Sequence, residues 1–367
     1  MRGPAVFPIM IAAGGTGGHF FPAEALASEL LARGRRVALM TDTRSSGLQS
    51  PVFAGLDQYV ISGAGIAGRG WRAGNAALSL ARGVMQARRI LARCNAAAVV
   101  GFGGYPCVAP VLATKLMPRR PSVVLHEQNA VLGRANRFLA RHADILALSF
   151  AGTERVPETA ATVVTGNPVR PAIQAIPYSP PHDELRLLVL GGSLGARVFS
   201  DVVPPTLVAL PETIRMRLSV VQQCRAEDLD RVHAAYHAAG ITAELATFFP
   251  DVAERLSAAH LVIARAGAST VAELAVAGRP AILVPLPGAI DDHQSANARA
   301  LADARGASAI AQRDFTPDTL RDRLAALLAS PDMLNHAALA AHSIARGDAA
   351  ARLADVVEQF MRQEVHA

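Results

Sequence analysis

The stretch Val6-Phe7-Pro8-Ile9-Met10-Ile11-Ala12-Ala13-Gly14-Gly15-Thr16-Gly17-Gly18-His19 decides the fold. Residues 6–12 are an apolar run of strand length, and a glycine loop follows at once. Beyond the loop Pro22 marks a helix start, Ala23, Leu26, Ala27, Leu30 and Leu31 recur at helical spacing, and Gly34 closes the helix. Residues 37–41 form the next apolar strand, so the opening is a βαβ unit. The alternation continues through runs at 97–100, 123–126, 145–148 and 162–165, which implies a parallel sheet. A Pro-rich linker intervenes, Gly166-Asn167-Pro168-Val169-Arg170-Pro171 and then Pro177-Tyr178-Ser179-Pro180-Pro181. The pattern then begins again: a strand at 185–190 runs into Gly191-Gly192-Ser193-Leu194-Gly195-Ala196-Arg197, and strands follow near 218–221, 261–264 and 281–284. The chain reads as α/β, two Rossmann-like domains facing each other across a cleft, at residues 1–168 and 169–345. The remainder, 346–367, holds a last helix that is a candidate to pack back on the first domain.

Composition agrees with this class and excludes others. A chain of 367 residues exceeds one ordinary core, and 51% hydrophobic with 18% charged residues is a globular balance. Three widely spaced cysteines, Cys94, Cys107 and Cys224, write neither a disulfide framework nor a thiolate metal site, which points to a reducing compartment. Two uncharged stretches, 3–23 and 94–114, have the length of a membrane span. Their glycines and prolines free too much backbone for lipid, so the expected chain is cytoplasmic and does not cross the membrane. Residues 1–168 carry 18 Lys and Arg against 8 Asp and Glu, net +10, and the rest carry 18 against 22, net −4. The basic half should meet an anionic partner. No RNP-like, zinc-finger or long basic run is present, so a phosphorylated ligand or anionic lipid fits better than nucleic acid.

A glycine loop between a strand and a helix offers backbone N–H groups and a helix dipole to a phosphate. The loop at 14–19 is no P-loop, and its glycines do not fit G-x-G-x-x-G, because Phe20 stands three after Gly17. Asp42, at the end of the second strand, keeps an NAD or FAD oxidoreductase open as a rival reading. The second loop at 191–197 repeats the device, with Ser193 as a hydroxyl donor. Two such cradles suggest two phosphorylated ligands.

Seven segments carry a resemblance: Gly14-Gly15-Thr16-Gly17-Gly18-His19, Gly101-Phe102-Gly103-Gly104-Tyr105, His126-Glu127-Gln128-Asn129, Gly166-Asn167-Pro168-Val169-Arg170, the loop at 191–197, Ala266-Gly267-Ala268-Ser269-Thr270-Val271-Ala272-Glu273, and Asp291-Asp292-His293-Gln294-Ser295-Ala296-Asn297-Ala298. In this order and register, over most of the chain, they resemble the MurG family of N-acetylglucosaminyltransferases. The resemblance implies a GT-B fold and transfer of GlcNAc from UDP-GlcNAc to the C4 hydroxyl of MurNAc in lipid I, with inversion, giving lipid II. It further implies that Thr16, Gly17, Gly18 and Asn129 are first-domain donor contacts and that Arg170 and Ser193 neighbour the diphosphate. Phe249 falls where the uracil edge is read. Ala268, Ser269, Thr270, Val271, Ala272 and Glu273 meet the sugar nucleotide at a helix start, with Glu273 accepting from the ribose diol and Gln294 binding GlcNAc. His19 is a candidate general base after the glycine loop, and Glu127 is its rival. Cys107 stands where serine is common, which bears on acceptor contacts, and His293 where some members have glutamine. No cofactor and no metal is expected: a diphosphate can leave against a helix N-terminus, and Asp291 and Asp292 read as cap and dipole partners.

The expected location is peripheral, on the cytoplasmic face of the inner membrane, with room for partners among cell-wall synthesis proteins. After Gly70 a helical stretch places Ala77, Leu80, Val84, Ala87 and Leu91 on one stripe, read as its core face. Trp71, Leu78, Arg82, Met85, Arg89 and Arg93 gather opposite, as on a helix lying at an anionic lipid surface. A non-catalytic lipid-recruitment subunit is the third reading, and retention of Ser193, Glu273 and Gln294 speaks against it.

Overall fold

The computed structural model describes residues 7–14, 17–42, 50–62, 71–192, 195–328 and 330–361, with the side chains of 71–74 and 331 excepted. Thr16, Ser193 and the side chain of Trp71 therefore lie outside the described residues. Contacts divide the chain into one unit of Met1–Arg170 with Asp348–Ala367 and another of Pro171–Gly347. The boundary falls two residues later than the Pro-rich linker suggests. Arg170 belongs to the first unit, its guanidinium 5.2 Å above the Phe21 ring.

The first unit is a seven-stranded parallel sheet of order β3-β2-β1-β4-β5-β6-β7. Its strands are β1 (Ile9–Ala12), β2 (Val37–Asp42), β3 (Asp57–Ile61), β4 (Ala98–Gly101), β5 (Ser122–Glu127), β6 (Ile145–Leu148) and β7 (Thr162–Val164). The central strands are apolar on both faces because helices cover both. Ile9, Ile11 and Ala13 enter one core with the helices Gly17–Ala32 and Ala349–Phe360, while Met10 and Ala12 enter the other with the helix Trp71–Cys94. β1 starts only at Ile9, since Pro8 has no N–H to give a ladder.

The second unit is a six-stranded parallel sheet, β10-β9-β8-β11-β12-β13. Its strands are β8 (Leu185–Leu190), β9 (Leu218–Gln223), β10 (Thr242–Ala246), β11 (Leu261–Ala264), β12 (Ala281–Leu283) and β13 (Ala307–Ala309). The strands that no apolar run announces, β3, β10 and β13, are all at edges. An edge strand has one neighbour and partial cover, so short polar sequences such as Asp57-Gln58-Tyr59 suffice there.

Pro22 lies inside the first helix rather than at its start, because the helix begins at Gly17. At its other end Gly34 (φ +74°) donates to the Leu31 carbonyl and Arg35 to that of Leu30, a left-handed C-terminal cap. Arg33 ties this helix to the last one: it donates to Glu29 at 2.7 Å, Asp355 at 2.6 Å and Glu358 at 2.8 Å. Leu353, Ala354 and Val357 are buried beneath that cluster.

The helix Trp71–Cys94 is buried along Gly83, Ala87 and Leu91, with Leu80 and Val84 partly covered. Ala77, expected on the core stripe, is exposed, because full burial begins only at Gly83. Among the described residues no helix is long and apolar enough to cross a membrane.

A Cβ at Gly83 would lie 2.1 Å from the backbone oxygen of Ser62. Gly83→Ala gains about 1 kcal/mol of helix propensity but forces the helix off the sheet. A net loss of about 1–3 kcal/mol in denaturant unfolding is expected; a stabilised variant would contradict this packing.

Candidate functional site

In a doubly wound sheet, ligands bind beyond the strand C-termini where the strand order reverses. In the first unit that point lies between β1 and β4, which pair in parallel with Ala12 opposite Gly101. Gly17, Gly18 and His19 open the helix after β1, and Gly101-Phe102-Gly103-Gly104 follows β4. Gly103 and Gly104 hold φ of +82° and +68°, and Cβ atoms there would lie 3.5 Å from the His19 ring. His19 thus packs on this loop. Its Nδ1 lies 2.9 Å from Gln128 Oε1.

Cys107 is buried and its Sγ donates to the Gly104 carbonyl at 3.0 Å, while burial pushes its thiol up to about 12. Its role is to brace the loop, as a serine hydroxyl would.

The His126-Glu127-Gln128-Asn129 segment ends β5. Glu127 is 2% exposed. Its Oε1 accepts from the Asn129 backbone N–H and side chain, both at 3.0 Å, and its Oε2 accepts from Gly133 N and Asn136 Nδ2, both at 2.9 Å. Four donors converging on one carboxylate hold the strand end to the helix Arg134–Leu139. These four bonds occupy the lone pairs of Glu127, the other candidate base, in anchoring. Asn129 is engaged in the same anchor.

In the second unit the order reverses between β8 and β11. A Cβ on Gly191 would lie 2.3 Å from Ala196 N, so the loop after β8 closes tightly on glycine. Gln223, at the end of β9, braces it: its Oε1 accepts from Gly191 N at 3.1 Å, and its Nε2 donates to the Gly192 and Thr247 carbonyls at 3.0 Å. The sequence motifs do not include this residue; the pair Gln222-Gln223 at the end of β9 is the signal that points to it.

The helix Ala268–Ala277 starts directly after β11 and ends at Gly278 with φ +61°. Ala268, Val271 and Glu273 are buried, Ser269, Thr270 and Ala272 partly so. Glu273 is 7% exposed, unlike a glutamate on the solvated face of a helix. Ser269 Oγ is buried and among the described residues has no hydrogen-bond partner. Asn297 is fully buried and donates to the Ala266 carbonyl at 3.1 Å, fixing the approach to this helix. Gln294 Oε1 accepts from Leu286 N at 2.9 Å, which orients its amide. Asp291 and Asp292 adopt positive φ, and Asp292 accepts from the Ser295 hydroxyl at 2.7 Å. No side-chain bond from Asp292 caps the helix His293–Asp303, contrary to the expected capping role. His293 bonds the Ile290 carbonyl at 2.7 Å. Phe249 is buried with Arg255 stacked 4.2 Å above its ring.

Models described as the glycosyltransferase family 28 N-terminal and C-terminal domains match residues 9–147 and 186–359. The chain is 63% identical over 366 residues to the UDP-N-acetylglucosamine--N-acetylmuramyl-(pentapeptide) pyrophosphoryl-undecaprenol N-acetylglucosamine transferase of Granulibacter bethesdensis, covering 98% of this chain and 95% of that one. To the protein of the same name in Acidiphilium cryptum it is 55% identical over 370 residues, covering all of both chains. It is also similar to the crystal structure of Acinetobacter baumannii MurG, with a TM-score of 0.78, 32% identity and coverage of 96% and 99%. A Neisseria meningitidis UDP-GlcNAc 2-epimerase, at TM-score 0.69 and 10% identity over 96% of this chain and all of that one, shares the fold alone.

Burial holds both His126 and His260 down to about 4, from an ordinary 6.5. The unfolded chain therefore takes up these protons first as pH falls. Their contribution is intact above about 6.5 and is lost progressively toward pH 4. Denaturant midpoints measured across that range should fall with pH; a flat profile would show that neither imidazole is buried neutral.

Proposed function

Because the chain belongs to glycosyltransferase family 28, among its MurG-type N-acetylglucosaminyltransferases, we propose a division of the reaction between its two glycine-loop sites. The protein is an enzyme of GT-B fold that transfers GlcNAc from UDP-GlcNAc to the undecaprenyl-pyrophosphoryl MurNAc-pentapeptide, giving lipid II. Donor binding is assigned to the second unit. The loop at 191–197, with Ser193, and the N-terminus of the helix Ala268–Ala277 take the diphosphate. Glu273 accepts from the ribose diol, Gln294 holds GlcNAc, and the backbone at Phe249 reads uracil. The family resemblance assigns donor contacts to Thr16, Gly17, Gly18, Asn129 and Arg170 as well.

His19 is the proposed base. It takes the proton of the MurNAc C4 hydroxyl as that oxygen forms its bond to the anomeric carbon of GlcNAc. The bond from that carbon to UDP breaks at the same time, so the configuration inverts. The observation that carries this reading is the placement of His19 at one switch point and of a buried carboxylate, Glu273, on the helix beside the other. The oxidoreductase reading fails on family membership. Asp42, on which it rested, is 1% exposed at the end of β2.

We place the enzyme peripherally at the cytoplasmic face of the inner membrane, because its acceptor is anchored in lipid. On the helix Trp71–Cys94, Leu78 and Met85 are 51% and 39% exposed, and Arg82, Arg89 and Arg93 are exposed beside them. Arg88 donates to the Leu116 carbonyl, which brings exposed Leu116 to the same helix. Large apolar groups among arginines suit an anionic lipid surface.

Turnover of UDP-GlcNAc with a lipid I analogue tests the assignments. Glu273→Ala removes a charge-assisted contact of about 1.5–3 kcal/mol and should raise the donor KM roughly tenfold or more; unchanged donor kinetics would remove Glu273 from the site. His19→Ala should lower kcat about a hundredfold, and a near-wild-type kcat would end its role as base. Replacing Arg82, Arg89 and Arg93 with Glu should release the protein from anionic vesicles at moderate salt, since each Arg contributes about 1 kcal/mol there. Activity on a soluble acceptor should survive. Undiminished co-sedimentation would exclude this face.

A further inference from the structure

The Gly166 carbonyl, His126, Gln128 and His19 form one unbroken chain of hydrogen bonds in the first unit. His126 Nε2 lies 3.0 Å from Gly166 O, Gln128 Nε2 lies 3.0 Å from His126 Nδ1 and 3.2 Å from His126 O, and Gln128 Oε1 lies 2.9 Å from His19 Nδ1. His126 and Gln128 are both buried. We infer that His126 and Gln128 are positioning residues that hold His19 as its Nδ1–H tautomer and so make Nε2 the proton acceptor of the reaction.

The direction of every bond follows from what each atom can do. A carbonyl oxygen only accepts, so His126 Nε2 carries a proton. Burial keeps His126 neutral at ordinary pH, with a value of about 4, against the opposing pull of its bond to Gly166 and of the Glu127 charge. A neutral imidazole holds one N–H, so Nδ1 of His126 is a bare acceptor. The side-chain amide of Gln128 can in principle face either way. Here its His126 end meets two acceptors, the Nδ1 lone pair and the His126 carbonyl, and an NH2 group has two protons to give. That end is therefore Nε2, and the end toward His19 is the amide oxygen. An amide oxygen requires a donor, so His19 Nδ1 carries the proton. Neutral His19 then has its lone pair on Nε2, on the side of the ring near Gly104, where a Cβ would lie 3.6 Å from that atom.

The surrounding groups keep the chain in register. The Phe102 ring packs against His126 with centroids 5.4 Å apart. Asn136 donates to the His126 carbonyl at 3.0 Å and to Glu127 at 2.9 Å, so the Glu127 anchor fixes the backbone from which Gln128 reaches out. Among the described residues, the charged and titratable groups acting on His126 are Glu127 and His19. A neutral imidazole in water favours the other tautomer modestly, so without Gln128 the lone pair would move largely to Nδ1, away from the loop.

The inference rests on His19 being the base, and the experiment separates the two. Long-range 1H–15N correlation spectra of the full-length protein with 15N-labelled histidine, recorded near neutral pH, report the tautomer of each ring. His19 is expected as Nδ1–H and His126 as Nε2–H in the wild type; an Nε2–H His19 overturns the inference with no variant needed. Gln128→Leu should move His19 toward Nε2–H and lower kcat about tenfold or more with the donor KM unchanged. A His19 tautomer and kcat both unchanged in Gln128→Leu overturn the inference. Should His19→Ala retain kcat while the wild-type spectra are as expected, the base assignment fails and the hydrogen-bond chain stands.

Discussion

A side chain at Gly191 would put its Cβ 2.3 Å from the backbone nitrogen of Ala196, and this exclusion sets how β8 hands its chain on to the next helix. A parallel strand must hand its chain to a helix that packs back on the same sheet. Where strand order reverses, the hand-over opens a crevice. Glycine lets the backbone turn there without filling that space. The freed backbone then needs fixed partners, and Gln223 supplies them by donating to one loop carbonyl and accepting from one loop N–H. The loop is shaped by what it lacks and held by a neighbour two elements away in sequence.

The first unit meets the same constraint with charge. Glu127 draws four donors from residues 129, 133 and 136 to one buried carboxylate. Charge-assisted bonds of this kind are the stronger ones, and removing any donor leaves charge poorly compensated in a low-dielectric setting. The segment after β5 is consequently rigid, and the polar side chains next to Glu127 can be aimed. Cys107 does comparable work on the loop after β4 through its bond to the Gly104 carbonyl. Stiff supports of this sort fix the setting of the His19 imidazole, which packs on Gly103 and Gly104.

The two units carry different side chains on one architecture. At the loops and helix starts of the second, backbone donors suit an anion, and a buried carboxylate, Glu273, stands on the helix Ala268–Ala277. In the first, an imidazole sits against glycines that keep its surroundings open. Arg33, by gathering Glu29, Asp355 and Glu358, attaches the chain's last helix to the first unit and completes the cover over β1. The exposed arginines of the helix Trp71–Cys94 leave that unit with its cationic outer surface.

By itself the sequence determined the parallel α/β class, the two glycine loops, the positions of the central strands and the family. Each of these rests on local pattern: apolar runs such as Ile9-Met10-Ile11-Ala12, and short motifs whose spacing is legible along the chain. The edge strands β3, β10 and β13 were decided only by tertiary structure, since a strand with one neighbour can be polar. The exposure of Ala77, the interior place of Pro22 and the bracing role of Cys107 belong to the same group, because burial depends on what arrives from elsewhere in the chain. Glu127 illustrates the reason most directly. Nothing in His126-Glu127-Gln128-Asn129 distinguishes a base from an anchor, and the difference lies in Gly133 and Asn136 turning their donors onto its carboxylate.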